Sequence, residues 1–103
     1  MSSLAEIRHE GAFRFTLQGD MSFASARSLL QQSQVLFPVG GDFSLDLSAV
    51  QHSDSAGVAL LLEWLAAAQA GGGRLEITGL PASMRAIAGV CNLQELLPLD
   101  EEE

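Results

Sequence analysis

Apolar and polar residues alternate in three short stretches of the chain, which is the pattern of strands with one buried face. The alternating apolar residues are Phe13, Phe15 and Leu17 within residues 12–18, Phe43, Leu45 and Leu47 within 42–47, and Leu75 and Ile77. Residues 4–9 are a fourth candidate strand, and Gly11 marks a turn after it. We therefore predict four strands.

Three other stretches carry apolar residues at helical spacing. The first runs from Phe23 to about Leu36 with Ser22 as its cap, and the second runs from about Ser55 to Ala70. The third begins after residues 79–81 and ends at Asn92. Residues 71–73 are three glycines, which tolerate the positive φ that often ends a helix. The order strand, strand, helix, strand, helix, strand, helix implies parallel pairing of the strands that helices separate.

The segment from Leu45 to Leu65 is predicted to be a strand, a polar loop at residues 51–53 and a strongly apolar helix. Asp54 is a good helix N-cap, because its carboxylate can accept a hydrogen bond from a free backbone N–H of the first turn. Ser55 then lies in that turn, near the positive end of the helix dipole, where a hydroxyl is well placed to carry a phosphate.

Two motifs in this segment resemble the signature of STAS domains. The first is Asp46-Leu47-Ser48-Ala49-Val50, and the second is Asp54-Ser55-Ala56-Gly57-Val58. They resemble, in order and spacing, a strand ending D-L-S-x-[VL] followed by D-[ST]-[STAG]-G-[LVI] at the start of a helix. The resemblance covers roughly residues 4–98 and implies an α/β (α+β) fold with a four-stranded mixed sheet and helices packed on it.

Within the STAS family, the chain most resembles the small STAS subunits of phospholipid ABC transporters, the MlaB type. The short length, the run from Asp54 to Leu62 and the ending after Asn92-Leu93 carry this resemblance. It implies a non-catalytic subunit that binds the transporter's ATPase subunit, within a complex with a membrane permease. Such a subunit would support ATPase assembly and activity in maintaining outer-membrane lipid asymmetry. The alternative is an anti-sigma factor antagonist, in which Ser55 is the phosphorylation site of a partner-switching kinase.

Composition and charge limit the kinds of partner and ligand that the protein is expected to bind. The 103 residues form one predicted domain with a net charge of −8, and residues 100–103 supply four of the negative charges, so we expect a disordered acidic tail at about residues 99–103. The sequence has five arginines and no lysine, which argues against nucleic acid as a partner. Cys91 is the single cysteine, so neither an internal disulfide nor a metal cluster is indicated.

Hydropathy favours a cytoplasmic protein, and the resemblance to MlaB-type subunits implies that it is peripheral to the inner membrane through its partner. The N-terminus lacks the basic and apolar regions of a signal peptide. The longest apolar segment, Val58 to Ala68, is interrupted by Glu63 and is too short to span a bilayer.

Catalysis is not expected, although His52, Asp54 and Ser55 are the residue types of a hydrolytic triad. Groups so close in sequence cannot easily adopt triad geometry, which normally draws on separate elements. The G-x-S-x-G motif is incomplete because Ser53 stands at its first glycine. The triple glycine lacks the following lysine of a phosphate-binding loop. We expect no cofactor and no metal.

The second helix carries apolar residues on both sides. Its predicted core stripe is Val58, Leu61, Leu62, Leu65 and Ala68, and its opposite side holds Ala59, Leu60, Glu63, Ala66, Ala67 and Ala70, with Trp64 on the flank. Either this side is solvated and merely alanine-rich, with good helix propensity, or it is a docking surface covered by another protein. The predicted partner contacts are Ser55 and Ala56, from the motif, and Ala59, Leu60, Glu63 and Trp64, from the charge-poor side.

Overall fold

The computed structural model describes the backbone of residues 5–90 and the side chains of residues 5–86. The elements follow the predicted order: β1 (Glu6–Gly11), β2 (Arg14–Met21), α1 (Ala26–Leu36), β3 (Phe43–Ser53), α2 (Ser55–Ala70), β4 (Leu75–Thr78) and α3 (Ala82–Val90). Several predictions fall outside the described residues. They concern the side chains of Ile87 and Ala88, Cys91, the helix end at Asn92 and the acidic tail.

The four strands form one mixed sheet in the order β1-β2-β3-β4. β1 pairs antiparallel with β2, whereas the β2–β3 and β3–β4 pairs are parallel, as expected for strands joined by helices. One face of the sheet is apolar, and Leu29 of α1, Leu61 of α2 and Met84 of α3 join it in a single core. The strand residues of this core are Ile7, Phe15, Leu17, Met21, Phe43, Leu45, Leu47, Leu75 and Ile77. The mixed sheet with packed helices is therefore confirmed.

β3 is longer than the sequence indicates. It continues through residues 51–53, which were predicted to be a loop, because the end of β2 pairs with them: Asp20 lies opposite His52, and Met21 lies opposite Ser53. Backbone pairing needs no apolar side chain, so the polar end of this strand left no alternating pattern to detect.

The start of the chain also departs from prediction. The turn between β1 and β2 falls on Ala12 and Phe13 rather than on Gly11. The predicted burial of Phe13 is wrong, because a turn residue has no sheet face to share and its side chain is 60% exposed.

The predicted start of α1 at Phe23 is wrong, since the helix begins at Ala26 with Ser25 at the N-cap position. Ser22 does not cap it. Instead the Ser22 N–H donates to Ser25 Oγ at 3.0 Å, and Ser25 Oγ donates to the Asp20 carbonyl at 2.7 Å. These local side chain–backbone bonds compete with helix formation and hold residues 22–25 as a turn.

α2 covers the predicted range, and its end is built by the glycines. Gly71 has φ −86°, so the positive φ predicted for the helix end is found one residue later, at Gly72, with φ +85°. The chain then turns into β4, which adds a short edge strand to the sheet.

Candidate partner-binding site

Asp54 organises the end of the sheet where β3 passes into α2. It occupies the N-cap position of α2, as expected from the sequence, and its Oδ1 accepts a hydrogen bond from the Ala56 N–H at 2.9 Å. Its Oδ2 accepts a second bond from the Phe23 N–H at 3.2 Å. One carboxylate therefore caps α2 and also attaches the turn between β2 and α1 to the same point.

Close packing against β2 sets the position of the first turn of α2. The Asp54 N–H donates to the Met21 carbonyl at 3.3 Å. A Cβ added to Gly57 would lie 2.5 Å from the Met21 carbonyl oxygen and 2.9 Å from Met21 Cβ. Only glycine lets the helix approach the strand this closely, so α2 begins directly at the end of the β2–β3 pair.

Ser55 is the first residue of α2, and its side chain is exposed; Ala56 is half-buried. The hydroxyl of Ser55 thus lies at the positive end of a 16-residue helix and is accessible to a partner. Ala59 and Glu63 follow on the same exposed side of the helix. Glu63 is the only charged residue in α2.

The predicted placement of Leu60 on the outer side of α2, with Trp64 on its flank, is wrong. Leu60 is 6% exposed and Trp64 is 4% exposed, so both belong to the core. The Trp64 indole N–H donates to Ser33 Oγ of α1 at 2.9 Å, and the ring packs edge-on against Phe37 at 5.3 Å between centroids. α1 therefore lies against Trp64, and both residues are buried in the core rather than presented at the surface.

The buried side of α2 differs from the predicted core stripe. Val58 and Leu61 are buried, as expected, but Leu62, Leu65 and Ala68 are only half-buried. The exposed side of α2 is therefore built from small residues, namely Ser55, Ala59, Ala66, Ala67 and Ala70, together with Glu63 and Gln69.

The turn before α1 and helix α3 are hydrogen-bonded to the two residues that precede Ser55. The turn between β2 and α1 presents Phe23, whose side chain is 84% exposed. Ser53 Oγ at the end of β3 forms a hydrogen bond of 2.7 Å with Ser83 Oγ of α3. Sequence periodicity assigned Phe23 to a helix and so missed its exposure. The only available signal was an aromatic residue among small residues, Ser22, Ala24 and Ser25, shortly after a predicted strand.

The geometry does not assemble a triad from His52, Asp54 and Ser55. His52 is an exposed residue of β3, and both Asp54 oxygens accept backbone N–H bonds rather than orienting an imidazole. Within residues 5–90, no cluster of His, Cys, Asp and Glu could hold a metal ion. In that same range, no helix has the length and hydropathy needed to cross a membrane.

A mixed four-stranded sheet with helices on one face and an exposed serine at the start of the helix after β3 defines a STAS-type domain. The model of the MlaB STAS-domain family matches residues 5–98, and the chain therefore belongs to that family. STAS domains are generally regulatory or interaction domains rather than catalytic ones.

Solved structures share this fold at low sequence identity. One is described as an anti-sigma factor antagonist from Thermotoga maritima, with TM-score 0.71, 13% identity, and coverage of 97% of this chain and 86% of that one. The anti-sigma factor antagonist SpoIIAA in its unphosphorylated form matches with TM-score 0.65, 13% identity, and coverage of 97% and 90%.

A sulfate transporter family protein from Wolinella succinogenes matches with TM-score 0.63, 20% identity, and coverage of 89% of this chain and 75% of that one. At these identities the likeness concerns the fold alone. No curated protein sequence matches the chain.

Proposed function

We propose that the protein is a non-catalytic subunit that binds the ATPase subunit of an ABC-type phospholipid transporter, in a complex with a membrane permease. There it supports ATPase assembly and activity in maintaining outer-membrane lipid asymmetry, on the cytoplasmic side of the inner membrane. The observation that carries this proposal is the match of the MlaB-type family over residues 5–98.

The exposed side of α2 is suited to a protein partner. It presents Ser55, Ala59 and Glu63 with alanines beyond them, and the half-buried Ala56 adjoins Ser55. This side carries a single charged residue, and the fully buried centre of a protein interface is depleted in charge. We therefore propose Ser55, Ala56, Ala59 and Glu63 as partner contacts.

A second candidate function is that of an anti-sigma factor antagonist. The exposed Ser55 hydroxyl at the N-terminus of α2 favours it, since a kinase can reach this group and a phosphate there is stabilised by the helix dipole. In this alternative, phosphorylation of Ser55 switches the protein between partners.

Variants of Ser55 test the proposed interface. Ser55→Ala removes one hydrogen bond and is expected to weaken binding to the purified ATPase by about 0.5–1.5 kcal/mol. Ser55→Glu is expected to lose more, because it brings bulk and an unpaired charge that must be desolvated. Both variants should stay folded, because Ser55 is exposed and a negative group in the first helical turn is favourable. Binding is measured by calorimetry, and folding by thermal melts.

Gln31→Glu is the matched control, because it adds the same charge at an exposed position of α1. If Ser55→Glu binds the ATPase as tightly as the wild type, Ser55 lies outside the interface. Recovery of a serine kinase and a sigma factor with the wild-type chain, without an ABC ATPase and permease, would support the second candidate function instead.

A further inference from the structure

Phe23 combines an exposed aromatic ring with a tightly held backbone. Its side chain is 84% exposed, yet its N–H is hydrogen-bonded to Asp54 Oδ2. The Ser22 N–H donates to Ser25 Oγ, and the Ser25 N–H donates to the Ser22 carbonyl, each at 3.0 Å. The turn that carries Phe23 is thus closed on itself and attached to the start of α2.

Exposure alone does not mark a binding residue, because single exposed apolar side chains are normal on protein surfaces. Phe13, at 60% exposure, and Val39, at 93%, are examples in this chain. Phe23 differs from them by its place. The carboxylate that binds its N–H also binds the N–H of Ala56, the residue after Ser55. Phe23 and Ser55 are therefore held at one end of the molecule by a single side chain.

We propose that Phe23 is the aromatic anchor of the partner-binding site and inserts into an apolar pocket of the ATPase beside the contact made by Ser55. The inference rests on the proposed function. Aromatic anchors dominate binding energy in many interfaces, and a preorganised backbone lowers the conformational entropy lost on binding. Ala24, which follows Phe23, and Ser55, which follows Asp54, are both exposed and uncharged, which suits an uncharged pocket.

A membrane surface is a less suitable occupant for Phe23. Anionic lipid headgroups attract clusters of lysine and arginine. This chain has no lysine and a net charge of −8, and the carboxylate nearest to the Phe23 backbone is that of Asp54. Charge therefore favours a protein pocket.

Phe23→Ala and Phe13→Ala form a matched pair for the test. Each removes an exposed phenylalanine ring, but Phe13 lies just before the start of β2 and Phe23 just beyond its end, roughly 25 Å away at about 3.3 Å per residue. We expect Phe23→Ala to raise the Kd for the purified ATPase at least about 10-fold, as for a hot-spot residue, and Phe13→Ala to change it less than about 2-fold. Circular dichroism should show both variants folded, because both side chains are exposed.

Asp54→Asn tests the positioning of Phe23 without changing the size of the side chain. Asparagine caps helices as well as aspartate does, but its amide offers one acceptor oxygen for the two N–H groups. We expect a Kd between those of the wild type and Phe23→Ala. If Asp54 acts by positioning the Phe23 ring, Asp54→Asn should raise the Kd much less in the Phe23→Ala background than in the wild type. A general structural defect would raise the Kd equally in both backgrounds.

The outcomes separate the anchor from the proposed function. If the wild type binds the ATPase, Ser55→Glu does not, and Phe23→Ala binds normally, the anchor assignment is wrong and the proposed function stands. If the wild type does not bind the ATPase, the proposed function fails and the anchor fails with it. The wild type is also tested for sedimentation with phosphatidylethanolamine–phosphatidylglycerol vesicles and for self-association. If it shows either one and Phe23→Ala abolishes it, the proposal that Phe23 inserts into a pocket of the ATPase is wrong.

Discussion

Gly57 determines how closely α2 can approach the sheet. Its Cα faces the backbone of Met21, and a Cβ built there would overlap the Met21 carbonyl oxygen at 2.5 Å. Contacts below 3.0 Å do not occur for real Cβ atoms, and a backbone oxygen within a paired strand cannot move alone. The position of Ser55 beside the end of β2 therefore depends on a residue that has no side chain.

Gly57→Ala is expected to destabilise the protein although alanine is the better helix former. The gain in helix propensity is about 1 kcal/mol, whereas forcing extra volume into a packed contact typically costs about 1–3 kcal/mol. The propensity gain applies in full only to a helix interior, whereas Gly57 lies in the first turn of α2, so the net free energy of unfolding should still fall by about 1–2 kcal/mol. Urea denaturation measures the change.

Gly41→Ala is the control for that comparison. Its Cβ would meet only Pro38 Cβ at 3.9 Å, an ordinary van der Waals contact, and the residue does not have a positive φ. It should therefore leave stability within about 0.5 kcal/mol of the wild type. A Gly57→Ala variant as stable as the wild type would mean that α2 does not pack on Met21 as described.

The pairing of α1 with α2 depends on one buried polar contact in an aromatic environment. Ser33, 5% exposed, accepts the Trp64 indole hydrogen at 2.9 Å and donates to the Leu30 carbonyl at 2.7 Å. Phe37 lies between Trp64 and Phe43, with centroids 5.3 and 4.7 Å away. The hydrogen bond satisfies the one polar atom that Trp64 carries into the core.

Ser33→Ala is expected to lower the free energy of unfolding by about 1–3 kcal/mol, because it leaves the indole N–H buried without a partner. Ser28→Ala is the matched control on the same helix, since Ser28 is exposed and its hydroxyl only accepts a bond from Gln32. Trp64 is the single tryptophan, so its fluorescence reports the change of environment directly. Equal stabilities for the two variants would contradict the role of Ser33.

At the scale of the whole molecule, the sheet has two edges, and α1 covers part of one of them. The Gln32 side chain accepts a hydrogen bond from the Ile7 N–H at 2.8 Å and donates to the Ala5 carbonyl at 3.2 Å. It therefore takes the place of a neighbouring strand beside β1. Covering an edge strand in this way hinders pairing with other chains. The opposite edge, β4, has only four residues.

Gln32→Ala should expose this edge. The loss of two hydrogen bonds is expected to lower the free energy of unfolding by about 1–3 kcal/mol. The freed Ile7 N–H and Ala5 carbonyl should increase self-association at high protein concentration. Light scattering after size-exclusion chromatography and urea denaturation test both effects. Gln31→Ala, at the exposed neighbouring position, should match the wild type in stability and self-association. Identical behaviour of the two variants would refute the edge-covering role.

Local patterns in the sequence determined the element order and the start of α2. Leu45 and Leu47, like Leu75 and Ile77, alternate with polar neighbours because one face of each strand is buried, and that pattern lies within a few residues. The cap formed by Asp54 is equally local, since its Oδ1 binds an N–H two residues later. The family signature around Ser55 is likewise a property of consecutive residues.

Only the tertiary structure decided which side of α2 is exposed and what lies beside Ser55. α2 has apolar residues on all sides, so its own periodicity could not show that Leu60 and Trp64 are buried or that α1 contacts Trp64. The extension of β3 required the end of β2 as a partner. The bond between Phe23 and Asp54 joins residues 31 positions apart, and such a contact depends on how the chain folds back rather than on any local preference.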